Sequence, residues 1–176
     1  MAQQLLLGSL RAGTGFDTHR LAPGRDLVLG GVVIPHPLGL AGHSDADAAL
    51  HALMDALLGA CALGDIGQHF PDNRAEFKGI SSLRLLEQTA RILRQKGFEP
   101  WQTDVTIIAQ APRLAPFIGQ MRQNIARALG IEVDRVSVKA TTTEGLGPEG
   151  RQEGISAQAS ALVMALRDVP GDAKFA

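Results

Sequence analysis

The chain has 176 residues, of which 45% are hydrophobic and 20% charged, and its formal net charge is −1. That length suits one folded domain, and the composition excludes a disordered chain and a strongly basic nucleic-acid-binding protein. Because Cys61 is the single cysteine, an internal disulfide is excluded, and its apolar neighbours predict a buried thiol rather than a nucleophile.

The first part of the chain is predicted to form a strand, a hairpin and a helix. Residues 5–18 have the pattern of a strand that enters a loop at Asp17. Two β-branched runs about a Gly-Gly pair predict a hairpin over 27–34. Apolar residues at helical spacing predict a helix over 45–62, with an aspartate available to cap its start.

The second part is predicted to alternate helices with strands. We expect a helix over 81–96, a strand over 104–108, a helix over 113–129 and a strand over 133–140. Apolar residues alternate over 155–163, which favours a last strand, although the alanines there would also suit a helix. The fold class is therefore predicted to be α/β, in α+β layers: one mixed β-sheet with helices over one face.

The sequence shows no membrane or export signal. No apolar run approaches the roughly 20 residues of a membrane span. The leucines at 5–7 lack the basic flank and the length of a secretory signal. We expect a cytoplasmic protein, and a plastid form that has lost its transit peptide stays open.

Two groups of polar residues have the spacing of metal ligands. Asp17 and His19 are two residues apart, so in an extended segment their side chains point the same way. Asp47, His51 and Asp55 are spaced by four residues and share one stripe of the predicted helix. Two histidines and one carboxylate would leave the fourth position of a tetrahedral zinc ion open, as a catalytic metal requires.

Simpler interpretations of these residues remain open. An Asp-x-His pair alone is weak evidence for a metal site. Asp47 is favoured as a helix cap over a metal ligand. Asp55 is either a partner that orients His51 or a solvated surface acid. His36 and His69 are predicted to be loop histidines rather than ligands.

Six blocks of sequence are long or chemically unusual: GFDTH at 15–19, GLAGHSDADAALHALMDALLGACALGDIG at 39–67, FPD at 70–72, DVTIIAQAPRL at 104–114, VKATTTEGLG at 138–147 and GRQEGI at 150–155. In this order they resemble the 2-C-methyl-D-erythritol 2,4-cyclodiphosphate synthase family. The match runs from about residue 11 to about residue 166. We therefore predict a single synthase domain over 1–176 with its core in that range.

The resemblance implies an activity in the non-mevalonate isoprenoid pathway. The family substrate is 4-diphosphocytidyl-2-C-methyl-D-erythritol 2-phosphate. Its 2-phosphate attacks its own β-phosphorus, CMP leaves and a cyclic diphosphate forms, so the enzyme is a metal-dependent phosphorus–oxygen lyase. The implied cofactors are Zn²⁺, or another divalent transition metal, together with Mg²⁺ or Mn²⁺. The implied assembly is a homotrimer with sites between neighbouring subunits.

The resemblance also implies roles for individual residues. The implied zinc ligands are Asp17, His19 and His51, and the implied ligand of the second cation is Glu144. The residues implied in transition-state stabilisation are His43 and Thr142. The implied substrate contacts are Asp17, Thr18, His19, His43, Ser44, Asp65, Ile66, Gly67, Phe70, Pro71, Asp72, Asn73, Ala109, Gln110, Ala111, Pro112, Arg113, Leu114, Thr141, Thr142, Thr143, Glu144 and Arg151.

Relatives form a central channel, where isoprenoid diphosphates have been proposed to bind, and the resemblance extends to residues of that channel. Phe16, Arg151 and Glu153 match positions that line this channel. Pro148 departs from the family pattern, because relatives often carry an aromatic residue there, and this weakens the case for lipid binding. Arg74 stands where an acid is common, which should change the charge of its loop without removing the chemistry.

Two other functions compete with the synthase. A zinc phosphohydrolase with the same ligands would give a linear product instead of a cyclic one. A non-catalytic trimer that binds isoprenoid diphosphates would be expected to lack a metal ligand or Glu144. Because Asp17, His19, His51 and Glu144 are all present, the synthase is favoured.

Overall fold

The computed structural model describes residues 10–71, 74, 77 and 79–165. The strands are β1 (Leu10–Ala22), β2 (Leu27–Leu29), β3 (Val32–Ile34), β4 (Gly39–Leu40), β5 (Phe98–Ile108), β6 (Val136–Thr141) and β7 (Gly154–Ala165). The α-helices are α1 (Ala48–Ala60), α2 (Ile66–His69), α3 (Ser82–Gln95), α4 (Ile118–Leu129) and α5 (Gly147–Gly150). No helix among these residues is long and apolar enough to cross a membrane.

The main sheet is mixed, as predicted. Its strand order is β4-β1-β7-β5-β6, and β2 pairs with β3 in the predicted hairpin. Strands β5 and β6 are parallel, with α4 between them in the chain, whereas β1, β7 and β5 pair antiparallel. The predicted strand–helix–strand unit is therefore confirmed.

One face of the sheet forms the core. Along β7, Ile155, Ala157 and Ala159 are buried, while Gln158 and Ser160 on the opposite face are exposed. This period of two confirms that the ambiguous last segment is a strand. Helix α1 packs against β1 and β7 and is buried along almost its whole length, including Cys61 just after its end. Burial also raises the pKa of the Cys61 thiol to about 11, so the predicted inert thiol agrees with the structure.

Two glycines bring α1 unusually close to β1. A Cβ added at Gly13 would lie 2.1 Å from the Ala56 carbonyl oxygen, and one at Gly15 would lie 2.1 Å from that of Ala52. Both distances are far inside van der Waals contact, so no other residue fits there without moving the helix. This close approach sets the distance between the polar residues of β1 and those of α1.

The predicted end of the first strand was wrong. Asp17 does not lie in a loop, because β1 continues to Ala22 and stays paired with β7 from Leu10↔Met164 to Arg20↔Gly154. Cross-strand hydrogen bonds thus extend the strand past the polar residues that suggested a loop. Of the predicted segment, residues 5–9 lie outside the described residues.

Other boundaries moved for local reasons. The helix predicted from 113 begins at Ile118, after a 3₁₀ turn at Ala115–Phe117 that includes a proline. The strand predicted from 133 begins at Val136, after a second 3₁₀ turn. Strand β5 begins at Phe98 rather than 104, because its pairing with β7 resumes after an irregularity between Pro100 and Gln102.

Candidate active site

Three potential metal ligands meet where β1 faces α1. The Asp17 Oδ2 atom lies 2.9 Å from His19 Nε2 and 3.1 Å from His51 Nδ1. The two ring nitrogens lie 3.1 Å apart. Ligand atoms about 2.0–2.1 Å from a tetrahedral zinc ion stand about 3.3 Å apart, so this triangle has close to the size that such an ion requires.

The tautomer of His19 is set by a backbone carbonyl. Its Nδ1 atom lies 2.8 Å from the Ala41 oxygen. Because a carbonyl oxygen only accepts, Nδ1 carries the hydrogen and donates it. The Nε2 lone pair of His19 is then directed towards Asp17 and His51. Atoms of these types brought so close together need a hydrogen or a cation between them. The set of two imidazole nitrogens and one carboxylate oxygen fits a metal ion.

The electrostatics of the cluster also favour a bound positive charge. Burial opposes ionisation of Asp17, but hydrogen bonds with His19 and His51 hold the pKa of its carboxyl well below the ordinary value. Burial also opposes charging of His19, yet the hydrogen bond with Asp17 raises the pKa of its imidazole. The cluster therefore attracts positive charge, supplied by a proton or by a metal.

Two of the three candidate ligands, His19 and His51, border a cavity of about 310 Å³. Its walls include several predicted substrate residues: His43, Ser44, Ile66, Gly67, Phe70 and Pro71. Asp65 adjoins this wall, where its side chain accepts a hydrogen bond from Gln68 N and caps α2. The predicted contacts Asp72 and Asn73 lie outside the described residues. The structure thus brings one group of the predicted substrate contacts to the candidate metal centre.

Asp47 and Asp55 share the stripe of His51 but do not join the ligand cluster. Asp47 is fully buried and caps α1, with its Oδ1 accepting from Leu50 N, so the cap interpretation is confirmed. Asp55 is half-buried and makes a contact that neither interpretation predicted. Its Oδ1 accepts a hydrogen bond of 2.8 Å from Ile66 N, which anchors the wall of the cavity instead of orienting His51.

Most of the other predicted substrate residues line a separate cavity of about 400 Å³. It is lined by the whole predicted cytosine loop, residues 109–114, and by Thr141 and Thr142. Thr142 Oγ1 donates a 2.6 Å hydrogen bond to Glu144 Oε1, and Gly145 N donates to Gln110 Oε1. Glu144 has a φ of +54°, a left-handed conformation that is uncommon outside glycine. The loop that carries this carboxylate is thus held in a tight turn.

The two cavities lie apart within one chain. Asp17 is in register with Ala157, Ala157 with Ile107, and Ile107 with Ala140, so three strand spacings separate β1 from β6. At about 4.8 Å per strand this is roughly 14 Å. The chain therefore does not bring Asp17, His19 and His51 together with Thr142 and Glu144.

Two predicted substrate contacts face other partners. Thr18 points to the opposite side of β1 from Asp17, and its Oγ1 lies 2.7 Å from Ser156 Oγ. Arg151 is exposed and forms a 2.7 Å ion pair with Glu153. Their side chains lie on neither cavity of the described residues.

Comparison with known proteins identifies the family. The family model described as the YgbB family matches residues 10–164. The chain belongs to the YgbB family. A Syntrophomonas wolfei relative named 2-C-methyl-D-erythritol 2,4-cyclodiphosphate synthase is 64% identical over 154 residues, which are 88% of this chain and 98% of the relative. The resemblance inferred from the sequence blocks is thereby confirmed.

Two solved structures, one of them of a longer chain, share the fold of this protein. The bifunctional IspDF of Campylobacter jejuni matches with a TM-score of 0.85 and 43% identity, covering 89% of this chain and 42% of that longer chain. IspF of Plasmodium falciparum, solved as a CDP complex, matches with a TM-score of 0.78 and 30% identity, over 90% of this chain and 98% of that chain.

Sequence reasoning missed several residues that hold the YgbB-family site in place. Arg25 donates hydrogen bonds to the carbonyl oxygens of Gly42, at 2.7 Å, and Ser44, at 2.5 Å, and so braces the loop that carries His43. Ser82 contacts the buried imidazole of His51. The predicted helix over 81–96 places Ser82 at its start, a position that indicates a helix start and not a contact with His51.

Proposed function

We propose that the chain is a 2-C-methyl-D-erythritol 2,4-cyclodiphosphate synthase. It converts 4-diphosphocytidyl-2-C-methyl-D-erythritol 2-phosphate to the 2,4-cyclodiphosphate and CMP. The observation that carries the proposal is the ligand triangle of Asp17, His19 and His51 beside a cavity, in a chain 64% identical to a relative of that name.

The proposed metals are a zinc ion, or another divalent transition metal, at Asp17, His19 and His51, and Mg²⁺ or Mn²⁺ at Glu144. Bound cations would supply charge neutralisation to the phosphate groups and to the departing CMP. A single carboxylate is a common protein ligand of magnesium, which keeps waters and phosphate oxygens in its other positions.

The chain's own residues orient the reaction. Attacking and accepting phosphates belong to one molecule, so holding it folded supplies up to about 7–11 kcal/mol of the barrier lowering. The attacking phosphate oxygen is already ionised, so no general base is needed. His43 and Thr142 are proposed to donate hydrogen bonds to phosphate oxygens as charge shifts between them. His43 lines the first cavity and Thr142 the second.

The proposed active form is a homotrimer with each site shared between neighbours. Since three strand spacings, roughly 14 Å, separate β1 from β6 in one chain, the metal ligands of one subunit would face the cytosine loop and Glu144 of the next. Phe16 and Leu146 are large apolar residues with 62% and 73% exposure, which supports burial between subunits. The CDP complex of the Plasmodium relative supports cytosine binding, and isoprenoid diphosphates are proposed as ligands of a channel near Phe16.

The test is phosphorus NMR of the protein with the cytidylyl substrate, zinc and magnesium. The expected result is stoichiometric CMP with a cyclic diphosphate, lost in His51→Ala and kept in His36→Ala. The matched control removes a histidine whose Nδ1 contacts only its own loop, at Leu38 O. CMP with a linear product would replace the synthase by a zinc phosphohydrolase. Absence of turnover by the folded, metal-loaded protein would favour a non-catalytic isoprenoid-diphosphate-binding trimer.

A further inference from the structure

His51 is held at both of its ring nitrogens. The residue is 8% exposed on α1, and its Nδ1 atom faces Asp17 Oδ2 at 3.1 Å. On the other side of the ring, Nε2 lies 3.1 Å from Ser82 Oγ and 3.2 Å from Ser44 Oγ. The nitrogen that carries the hydrogen decides which nitrogen can bind a metal.

A carboxylate determines the direction of the Ser82 hydrogen bond. Ser82 Oγ lies 2.5 Å from Asp45 Oδ1, and Ser82 N donates to Asp45 Oδ2 at 3.0 Å. The two Asp45 oxygens accept from the backbone N–H and the hydroxyl of Ser82, so the single hydroxyl hydrogen of Ser82 goes to Asp45. The oxygen of Ser82 then presents a lone pair to His51, so Nε2 is the donor in this contact. The Asp17 carboxylate, 3.1 Å from Nδ1, competes for a hydrogen on that nitrogen until a metal takes its place.

Ser44 does not impose the same choice. Its Oγ accepts a hydrogen bond of 3.0 Å from Ala46 N, but the direction of its own hydrogen is not set by a carboxylate. It can donate to His51 or accept from it. Ser82 is the partner with a defined direction, and it is fully buried at the first turn of α3.

We propose that Asp45 and Ser82 are positioning residues that hold His51 as the Nε2–H tautomer, with the Nδ1 lone pair presented to the metal. The inference deepens the proposed function and rests on its metal site. In His19, the hydrogen bond from Nδ1 to Ala41 O has the corresponding effect and leaves the Nε2 lone pair for the metal. Partners of this kind orient ligating imidazoles in metal sites and affect metal affinity by about 10–100-fold.

The first test is long-range proton–nitrogen NMR of the metal-free protein at about pH 8.5, roughly two units above the ordinary pKa of a free imidazole. The wild type is expected to show His51 with a protonated Nε2. Ser82→Ala and Asp45→Asn should each give a mixture of tautomers. An unchanged tautomer in both variants would overturn the proposal, whatever the protein catalyses.

The second test measures zinc affinity by competition with a chromophoric chelator. Ser82→Ala should bind zinc about 10–100-fold more weakly than wild type, and Ser82→Thr, which keeps the hydroxyl, should recover most of the loss. The matched control is Thr89→Ala, which removes another fully buried hydroxyl of α3, bonded only to Leu85 O at 3.0 Å.

The control separates positioning from folding. Thr89→Ala should lower the free energy of unfolding but leave zinc affinity at the wild-type value. An equal loss of zinc affinity in Thr89→Ala and Ser82→Ala would overturn the positioning role. A wild type that binds zinc tightly but forms no cyclic product would refute the proposed activity while these comparisons still decide the role of Ser82.

Discussion

At the scale of single residues, buried carboxylates organise this protein through backbone N–H groups. Asp47 accepts from Gly30 N at 3.0 Å, Gly31 N at 2.7 Å and Leu50 N at 3.1 Å. It thereby joins the β2–β3 turn to the start of α1. Burial raises the pKa of Asp47 to about 6, against the opposing effect of the Gly31 hydrogen bond. Its protonation should therefore be visible in the stability of the fold.

Asp47 should make stability depend on pH in a defined direction. Its folded pKa lies above the unfolded value of 3.8, so between these values the folded state binds more protons and stability falls as pH rises. Relative to Asp47→Asn, the wild-type free energy of unfolding should decrease by up to about 3 kcal/mol from about pH 4 to pH 7. Urea unfolding of the metal-free proteins checks this. A difference that does not change with pH would contradict it.

Asp55 should control the wall of the first cavity. Removing the acceptor of Ile66 N in Asp55→Ala should speed hydrogen exchange of the Ile66 amide about 10–100-fold, since a hydrogen bond to a charged group is worth about 1.5–3 kcal/mol. Asp55→Asn keeps an oxygen acceptor and should retain most of the protection. The measurement is amide exchange by NMR, and equal exchange in both variants would show that the 2.8 Å bond does not hold the wall.

At the scale of elements, the contact of β1 with α1 brings the three candidate metal ligands together. His51 lies on the helix, whereas Asp17 and His19 lie on the strand, and Gly13 and Gly15 let the two backbones approach. The β1–β7 pairing keeps Asp17 and His19 on the same face of an extended strand. The alternation along β1 therefore converts a two-residue spacing into a pair of convergent side chains.

A methyl group at this contact should be costly. Gly13→Ala should lower the free energy of unfolding by about 3 kcal/mol or more, because the new Cβ would overlap the helix backbone rather than a flexible side chain. Gly119→Ala is the matched control. It lies in α4 with nothing within 4 Å of its new Cβ, and should raise stability by about 0.5–1 kcal/mol. Chemical denaturation checks both, and a tolerated Gly13→Ala would show that α1 can move away from β1.

At the scale of the whole molecule, the order of strands separates the two candidate half-sites. The candidate metal ligands come from β1 and α1, while Thr141 ends β6, three strands away. Because hydrogen-bonded strands keep a constant spacing, no side-chain rotation can bring these groups together in one chain. A site shared between subunits removes this difficulty.

The shared site can be tested by mixing two inactive variants. His51→Ala lacks a metal ligand, and Glu144→Ala lacks the proposed ligand of the second cation. Refolded together in equal amounts, they should regain about a quarter of wild-type activity, since each site then draws two intact halves at random from neighbouring chains. Mixed samples as inactive as the separate variants would contradict a site between subunits. Sedimentation of the wild type gives the oligomeric state independently.

The sequence by itself determined the order and type of the main elements, the family, and the residues of the ligand triangle. Period-two and helical patterns are local, so the last strand and α1 could be predicted from them. Tertiary structure decided where β1 ends, because pairing with β7 overrides the polar residues at Asp17. It also decided the roles of Asp55 and Ser82. Their partners, Ile66 and His51, lie across turns and other elements, and no local pattern records a hydrogen bond between segments that only folding brings together.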